Sequence, residues 1–457
     1  MLTSRYGSAV AGFAARALTT DLSAEVERHA RNHIVDTIGA IVSGSAMSAG
    51  RAAQRYVQMT AGEPRASVIG TRLRAPLIEA ALANGMSAHA DESDDSHQQS
   101  MTHPGCGVLP AALAIAESTG ASGRDFMRAV VLGYEMCTRF ASAFGADMSS
   151  KRASLASHSY GPLFGAGYAA GALLKFDEEK FAILLNYLSQ EASGLTTWRL
   201  DSSHTLKSYA FAGMSASNGV KAAMLVHSGF TGSGDVLDAS RRSMLECITA
   251  HPRPDALIDG LGEQYAVVQS DIKYYSVGYP IAAPVAAVEK ILAHDGFMAS
   301  QVERVRLRYH RDWYTVVGDL SRMPDVNLRY CLAVTLLDGR LTFDAAHDKE
   351  RMEAEDVVRI AQRIEFLDAD ADLDYFAARV EIDAGGKTWR AEQDKCVLGR
   401  IENPMSDAQV RDKARQLMTP VLGASSVERV IGMLDQLESL SGIRTLIDTM
   451  CCERGSR

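Results

Sequence analysis

Through about residue 268 the apolar residues of this chain recur at helical spacing, and the helices they define are built from small side chains. Residues 4–18 read as one helix. From Ser23 a second carries Val26, Ala30, Ile34, Ile38 and Ile41 on one face. Gly62-Glu63-Pro64 breaks the pattern, and 66–70 reads as a short extended piece. Further helices are expected at 51–61, 76–90, 111–117, 123–144, 161–174, 177–193 and 208–227, followed by a loop at 229–234. In the 208–227 helix Gly213, Ala216, Ser217 and Val220 share a face, which lets another helix approach closely. A chain patterned this way can build a large, tightly packed helical body and little else over that span.

Beyond residue 268 the period changes. Val305, Leu307 and Tyr309 alternate with Arg304, Arg306, Arg308 and His310, and Phe376, Ala378, Val380 and Ile382 with Ala377, Arg379 and Glu381. This is the period of half-exposed strands. Residues 383–387 (DAGGK) predict a hairpin turn, 388–391 the return strand, and helices are expected at 282–294, 327–338 and 354–363. From Ser406 the helical period returns. The expected fold is mainly α: a large all-helical domain assembled from 1–268 and 403–457, plus a smaller α+β lid domain at 269–402.

At 457 residues with 47% hydrophobic and 23% charged residues, the chain is long and apolar enough for a large core, and disorder is not expected. A net charge of −9 without a long basic run argues against nucleic-acid binding. No apolar run is long enough to span a bilayer; the nearest, 161–174, is short and rich in small residues. Arg5 and Arg16, with no acid before Asp21, give the N-terminus a transit-peptide flavour, but a first amphipathic helix explains them more simply. Cys106, Cys137, Cys247, Cys331, Cys396, Cys451 and Cys452 are scattered and form no CxxC pair. A disulfide framework or zinc site is therefore not expected, and a reducing cytoplasmic location is.

Against this background residues 89–110, HADESDDSHQQSMTHPGCGVLP, stand out. Asp91, Glu92, Asp94 and Asp95 sit beside His89, His97 and His103. Three readings fit the stretch by itself: a metal site, a metal-free acid–base site with a histidine moving protons, and a solvated acidic loop whose Asp94, Asp95 and Ser96 cap a helix. Three more pieces carry candidate chemistry. His158 precedes a Gly/Pro turn that opens a helix, where an anion could be met, although a lone histidine is more often a satisfied core or capping residue. Lys207 stands at the entrance of the small-residue helix, where it could pair with a carboxylate or simply face solvent. Lys273-Tyr-Tyr-Ser-Val-Gly-Tyr279-Pro280 lies at the boundary between the two domains, a preferred place for ligands or a linker held by aromatic packing.

Together these pieces resemble the MmgE/PrpD family, whose hallmark is written HA-x-DFDDTH followed by HP-(G/S) and VLPA. Asn84-Gly85, the glycine-flanked His158, Lys207 with Gly213 and Asn218-Gly219, the Gly229-Phe-Thr-Gly232 loop and PDVNLRYCLAVTLLDG at 324–339 are similar to its other motifs. The resemblance covers essentially the whole chain. It implies a helical domain with an α+β lid, a homodimer, and a family that includes 2-methylcitrate dehydratase, cis-aconitate decarboxylase and iminodisuccinate epimerase, working without metal or organic cofactor. It also implies His103, His158 and Lys207 as catalytic residues, with Glu92, Asp94, Ser96, His97, Lys273 and Tyr279 binding a di- or tricarboxylate. The sequence departs from the pattern at Glu92 (aspartate in the family), Ser93 (phenylalanine), Ser96 (threonine) and after Lys273; a histidine of some decarboxylases has no counterpart near Gly278 or Tyr279.

The reaction expected from the resemblance is acid–base dehydration of a 2-methylcitrate-like hydroxy tricarboxylic acid. Decarboxylation of cis-aconitate and epimerisation of a succinate derivative are the alternatives within the class. A non-catalytic binding protein on the same fold is the alternative outside it. An iron–sulfur route would need closely spaced cysteines, which the sequence lacks.

Overall fold

The computed structural model describes residues 4–145, 155–232, 234–238, 243–318 and 323–451; Cys452 and part of the 229–234 loop lie outside them. The protein is mainly α, with 59% of residues in helices against 10% in strands. Its apolar residues form two large cores. One joins residues from Val10 to Ile272 with Met405 to Met450; the other runs from Tyr275 to Val397.

The first core is a stack of helices. Ala24–Gly44 is capped by Ser23, whose hydroxyl accepts from Val26 N. Pro104–Thr119, Gly123–Phe144 and Ser157–Leu173 pack together in its centre. Their approach depends on glycine: a Cβ on Gly165 would sit 2.5 Å from the Gly133 carbonyl oxygen. The small-residue face read from the sequence does the same. A Cβ on Gly219 would lie 2.6 Å from that of Ala166.

Two helices begin earlier than the sequence predicts. Proline and glycine at 104–110 and 161–162 suggest turns, yet they lie inside Pro104–Thr119 and Ser157–Leu173. Pro104 occupies the first helical position, where its missing N–H costs nothing. Pro110 and Pro162 each forfeit one hydrogen bond, which burial of the surrounding helix offsets. Lys207 lies on a helix that runs through Thr205–Ser208, widens to i→i+5 bonding over Tyr209–Gly213, and continues as Met214–His227. Such π segments recur at functional sites.

The second core is covered by one four-stranded sheet in the order Ile364–Asp368, Val302–Tyr309, Ala378–Ala384, Lys387–Gln393. The last two form the expected hairpin. Ile364–Asp368, absent from the sequence reading, is an edge strand parallel to Val302–Tyr309. It is only five residues long and mostly unburied, so it carries little alternation. The helices Ala282–Leu292 and Leu328–Asp338 pack beneath. After the sheet the chain returns to the first core, where Asp407–Leu422 lies along Ala24–Gly44. Among the described residues no helix is long and apolar enough to cross a membrane.

Candidate active site

The 89–97 stretch is not a solvated loop. His89, Asp91, Glu92, Ser93, Asp94, Asp95, Ser96 and His97 are all buried. Charged groups tolerate burial only when paired and hydrogen-bonded, and here the partners come from across the fold. Asp95 accepts from His33 Nδ1 at 2.7 Å, from the Tyr134 hydroxyl, and from Gly105 N at 2.9 Å. It thereby caps the Pro104–Thr119 helix from outside, a favourable place for an anion. Lys413, on the C-terminal Asp407–Leu422 helix, donates to the Ser93 carbonyl and to Asp36, both at 2.7 Å. Asp271 exchanges two backbone hydrogen bonds with Ser96.

Two ammonium groups converge on one carboxylate. Lys207 Nζ donates to Glu92 Oε1, and Lys273 Nζ reaches Glu92 Oε2 at 3.1 Å and Asp94 Oδ1 at 3.6 Å. Burial, and then the neighbouring Lys273, draw the Lys207 pKa down to about 7, with Asp325 opposing. Glu92 adopts φ 55° and His204 φ 62°, and Met101 lies at φ 52°. Three of the four non-glycine residues with positive φ among the described ones therefore border this site. Backbone strain of this kind persists where surrounding structure over-determines it.

The histidines are held with equal specificity. His103 Nδ1 lies 2.6 Å from the Asp95 carbonyl oxygen, with Ser96 Oγ at 3.3 Å and Asp94 Oδ2 at 3.4 Å. A carbonyl only accepts, so Nδ1 carries the proton and Nε2 keeps its lone pair. Burial lowers the His103 pKa well below its usual value, against the pull of Asp94. His158 is lowered to about 3, by burial and then by Arg199. Both are neutral at pH 7, with ring centroids 5.5 Å apart. Phe211, on the π segment, is stacked between His89 at 4.4 Å and His158 at 4.5 Å. His89 Nδ1 donates to Asp94 Oδ2 at 2.8 Å.

These groups border one cavity between the two cores. Of the residues proposed from sequence, His103, His158, Lys207, Glu92, Ser96, His97 and Tyr279 line it. Asp94 and Lys273 lie buried behind Glu92 and His103. His97 faces it with Nδ1 bonded to Ser100 Oγ at 2.8 Å, and burial lowers its pKa to about 4. The sequence reading passed over several contributors. Trp198 and Arg199 line the cavity on a 3₁₀ turn, and Trp198 Nε1 is buried with no partner among the described residues. His204 pairs with Asp325 of the second core at 2.8 Å, and His347 Nε2 donates to the Asp91 carbonyl at 2.9 Å. His204 and Asp325 lie in segments that the motifs mark, SSHTLK and PDVN; His347 stands in an unremarkable short helix.

Among the described residues His89, Asp94 and Cys106 bring possible metal-ligand atoms within 4.8 Å of one another. Asp94 already accepts from His89, and the Cys106 thiol donates to the His103 carbonyl at 3.2 Å. Burial and then Asp94 push that thiol well above its usual pKa, so Cys106 is held as a protonated thiol.

A helical body and a mixed α+β unit enclose histidines, two buried lysines and a strained acidic stretch around one cavity. The chain belongs to the MmgE/PrpD family: residues 8–256 match its N-terminal domain and 275–439 its C-terminal domain. Its relatives include a cis-aconitate decarboxylase-like protein of Aspergillus oryzae, 25% identical with 94% of this chain and 93% of the relative aligned. The cis-aconitate decarboxylase of Aspergillus terreus is 25% identical (97% and 96%), and that of Mus musculus 22% (92% and 88%). The protein is an enzyme of this family.

Proposed function

We propose that the protein is a cofactor-independent lyase that moves a proton at the carbon next to a carboxylate, first of all in dehydration of a 2-methylcitrate-like hydroxy acid. The observation that carries this is the His103 tautomer: Nδ1–H is committed to the Asp95 carbonyl, which leaves Nε2 as a base on a cavity shared with Lys207. In the elimination, His103 Nε2 takes the α-proton. The C–H electron pair becomes the new C=C bond, the C–O bond breaks, and the hydroxyl leaves as water with a proton from the site. Lys207, with its pKa near neutral, suits that donor, and His158 lies on the same cavity to orient the hydroxyl or share the transfer. Negative charge gathering on the substrate carboxylate is stabilised by the ammonium groups and by Trp198 Nε1.

Decarboxylation of a cis-aconitate-like acid is the second reading, favoured by the names of the relatives. There the C–C bond to the leaving carboxylate breaks, and a protonated site group delivers a proton to the carbon left behind. We assign the residues to a body formed by 1–268 with 403–457 and a lid formed by 269–402, in a cytoplasmic homodimer, which light scattering of the purified protein tests. Product NMR with citrate, 2-methylcitrate, cis-aconitate and iminodisuccinate in D₂O tests the chemistry. Deuterium entering the α-position supports it, and unchanged turnover in both His103→Ala and His158→Ala overturns the assignment. Activity is expected to survive excess chelator; loss restored by one metal overturns the cofactor-independent reading.

A further inference from the structure

A cation that no motif marks lies on the cavity beside its histidines. Arg199 lines it from the 3₁₀ turn Thr196–Leu200, outside every segment on which the family resemblance rests. The turn is tied to the helix that carries Lys207. Asp201 N donates to the Trp198 carbonyl at 2.9 Å, and the Asp201 carboxylate accepts from Lys207 N and from Ser203 N, both at 3.0 Å. The buried Trp198 ring joins the turn to the rest of the site. Its centroid lies 5.5 Å from the Arg199 guanidinium carbon, 5.6 Å from Lys207 Nζ and 5.9 Å from the His158 ring centroid. Arg199, Lys207 and His158 are thus gathered around one indole.

What sets Arg199 apart is the want of an anionic partner. The carboxylates on the lining, among the described residues, belong to Glu92 and Asp201. Glu92 is taken by Lys207 and Lys273, and Asp201 by the backbone and hydroxyl donors around its own turn. Among the described residues Arg199 has no ion pair; burial alone acts on its pKa, lowering it, with no carboxylate in opposition. Its charge is felt instead by His158, whose pKa it lowers after burial does. A guanidinium carries five N–H donors in a fixed fork and no acceptor. That fork matches a carboxylate bidentately.

We infer that Arg199 is a specificity residue: its guanidinium holds a substrate carboxylate other than the one next to the reacting carbon, on the Trp198 and His158 side of the cavity. This rests on the acid–base reading of the same cavity and gives a further carboxylate of the acid its partner. An acid with that group completes a charge-assisted pair; the same acid with methyl in its place leaves the guanidinium as it stands. A hydrogen bond to a charged group changes affinity by roughly tenfold or more, so the difference is measurable.

The test sets each acid beside a copy that lacks one carboxylate: citrate with citramalate, and cis-aconitate with citraconate, where methyl replaces carboxymethyl. Affinity is followed by isothermal titration calorimetry, and turnover and α-deuterium exchange by NMR, on the full chain. Wild type is expected to bind the longer acid of at least one pair roughly tenfold tighter or more. In Arg199→Gln that advantage is expected to shrink to within about threefold, the range of a solvated pair. Arg199→Lys, which keeps the charge without the planar fork, is expected to fall between. Equal binding within both pairs by wild type, no binding of any of the acids, or an advantage left intact in folded Arg199→Gln overturns the inference. If the acids bind in the expected order and none turns over or exchanges, the acid–base reading fails and the carboxylate subsite stands. If they turn over and the order ignores Arg199, the subsite fails and the acid–base reading stands.

Discussion

The 89–97 stretch and the outer face of the four-stranded sheet are both dense in charge, yet only the first is out of water. On the sheet, Arg306 pairs with Glu381 at 3.1 Å and Asp383 at 2.7 Å, and Glu381 with Arg390 at 2.8 Å, as cross-strand neighbours. Arg390 remains 65% exposed. Such pairs gain little because water competes for both partners. In the 89–97 stretch each charge is enclosed, so each partner is obligatory, and burial moves the pKa of His89 and His97 down and that of Asp91 up. Burial, rather than the number of charges, separates a reactive region from a decorated one.

Four measurements would sharpen or break that contrast. The largest effect is expected from His103→Ala, with kcat/KM falling by about 10²–10⁴, the span of a lost general base, and the melting temperature nearly unchanged. A steady-state assay beside a thermal melt checks it; wild-type kcat/KM would refute the role. Next, Glu92→Gln leaves the Lys207 and Lys273 ammoniums without their shared carboxylate. Breaking a buried pair costs about 3–5 kcal/mol, so a clear loss of stability on denaturant titration is expected; a loss under about 1 kcal/mol would mean that water reaches the pair.

The third concerns the link between the two cores. Burial opposes charge on His204, but Asp325 at 2.8 Å more than offsets it and raises the His204 pKa; the same pairing, against burial, holds Asp325 well below its usual value. A raised histidine contributes stability that is full below its ordinary value of 6.5 and is lost as pH rises through the raised one. A depressed aspartate contributes above its ordinary value of 3.8 and loses it as pH falls through the lower one. The pair is thus intact between those limits. Hydrogen exchange of residues 323–347 is expected to quicken as pH rises past the His204 pKa, beyond the intrinsic pH effect. In His204→Gln that extra step should vanish; if it persists, the link is not this pair. The smallest effect is expected from Arg390→Ala on the sheet face, within about 1 kcal/mol by denaturant titration, and a larger loss would erase the contrast.

Helix and strand periods made much of the architecture legible. Gly123–Phe144 and the hairpin around 383–387 follow directly from spacing and turn chemistry. The early starts at Pro104 and Ser157 did not, because a local rule about proline is outweighed by packing that the local sequence does not contain. Ile364–Asp368 was hidden because a short edge strand needs only one buried residue and a neighbour.

For the site, acid and imidazole crowded into 89–103 marked that segment as a candidate, while His158 and Lys207 were weak by residue type alone and were nominated, with His103, through the resemblance to the family's motifs. Sequence by itself left three readings of that segment open. Tertiary structure decided that it is buried, by bringing His33, Tyr134, Lys413 and Asp271 to it from distant elements. It also decided which His103 nitrogen is free, since that depends on one carbonyl, Asp95 O. Phe211, Trp198, His204 and Asp325 joined the site only there. Side-chain chemistry travels with the sequence, whereas desolvation, pairing and tautomer are properties of what folding places within a few ångströms.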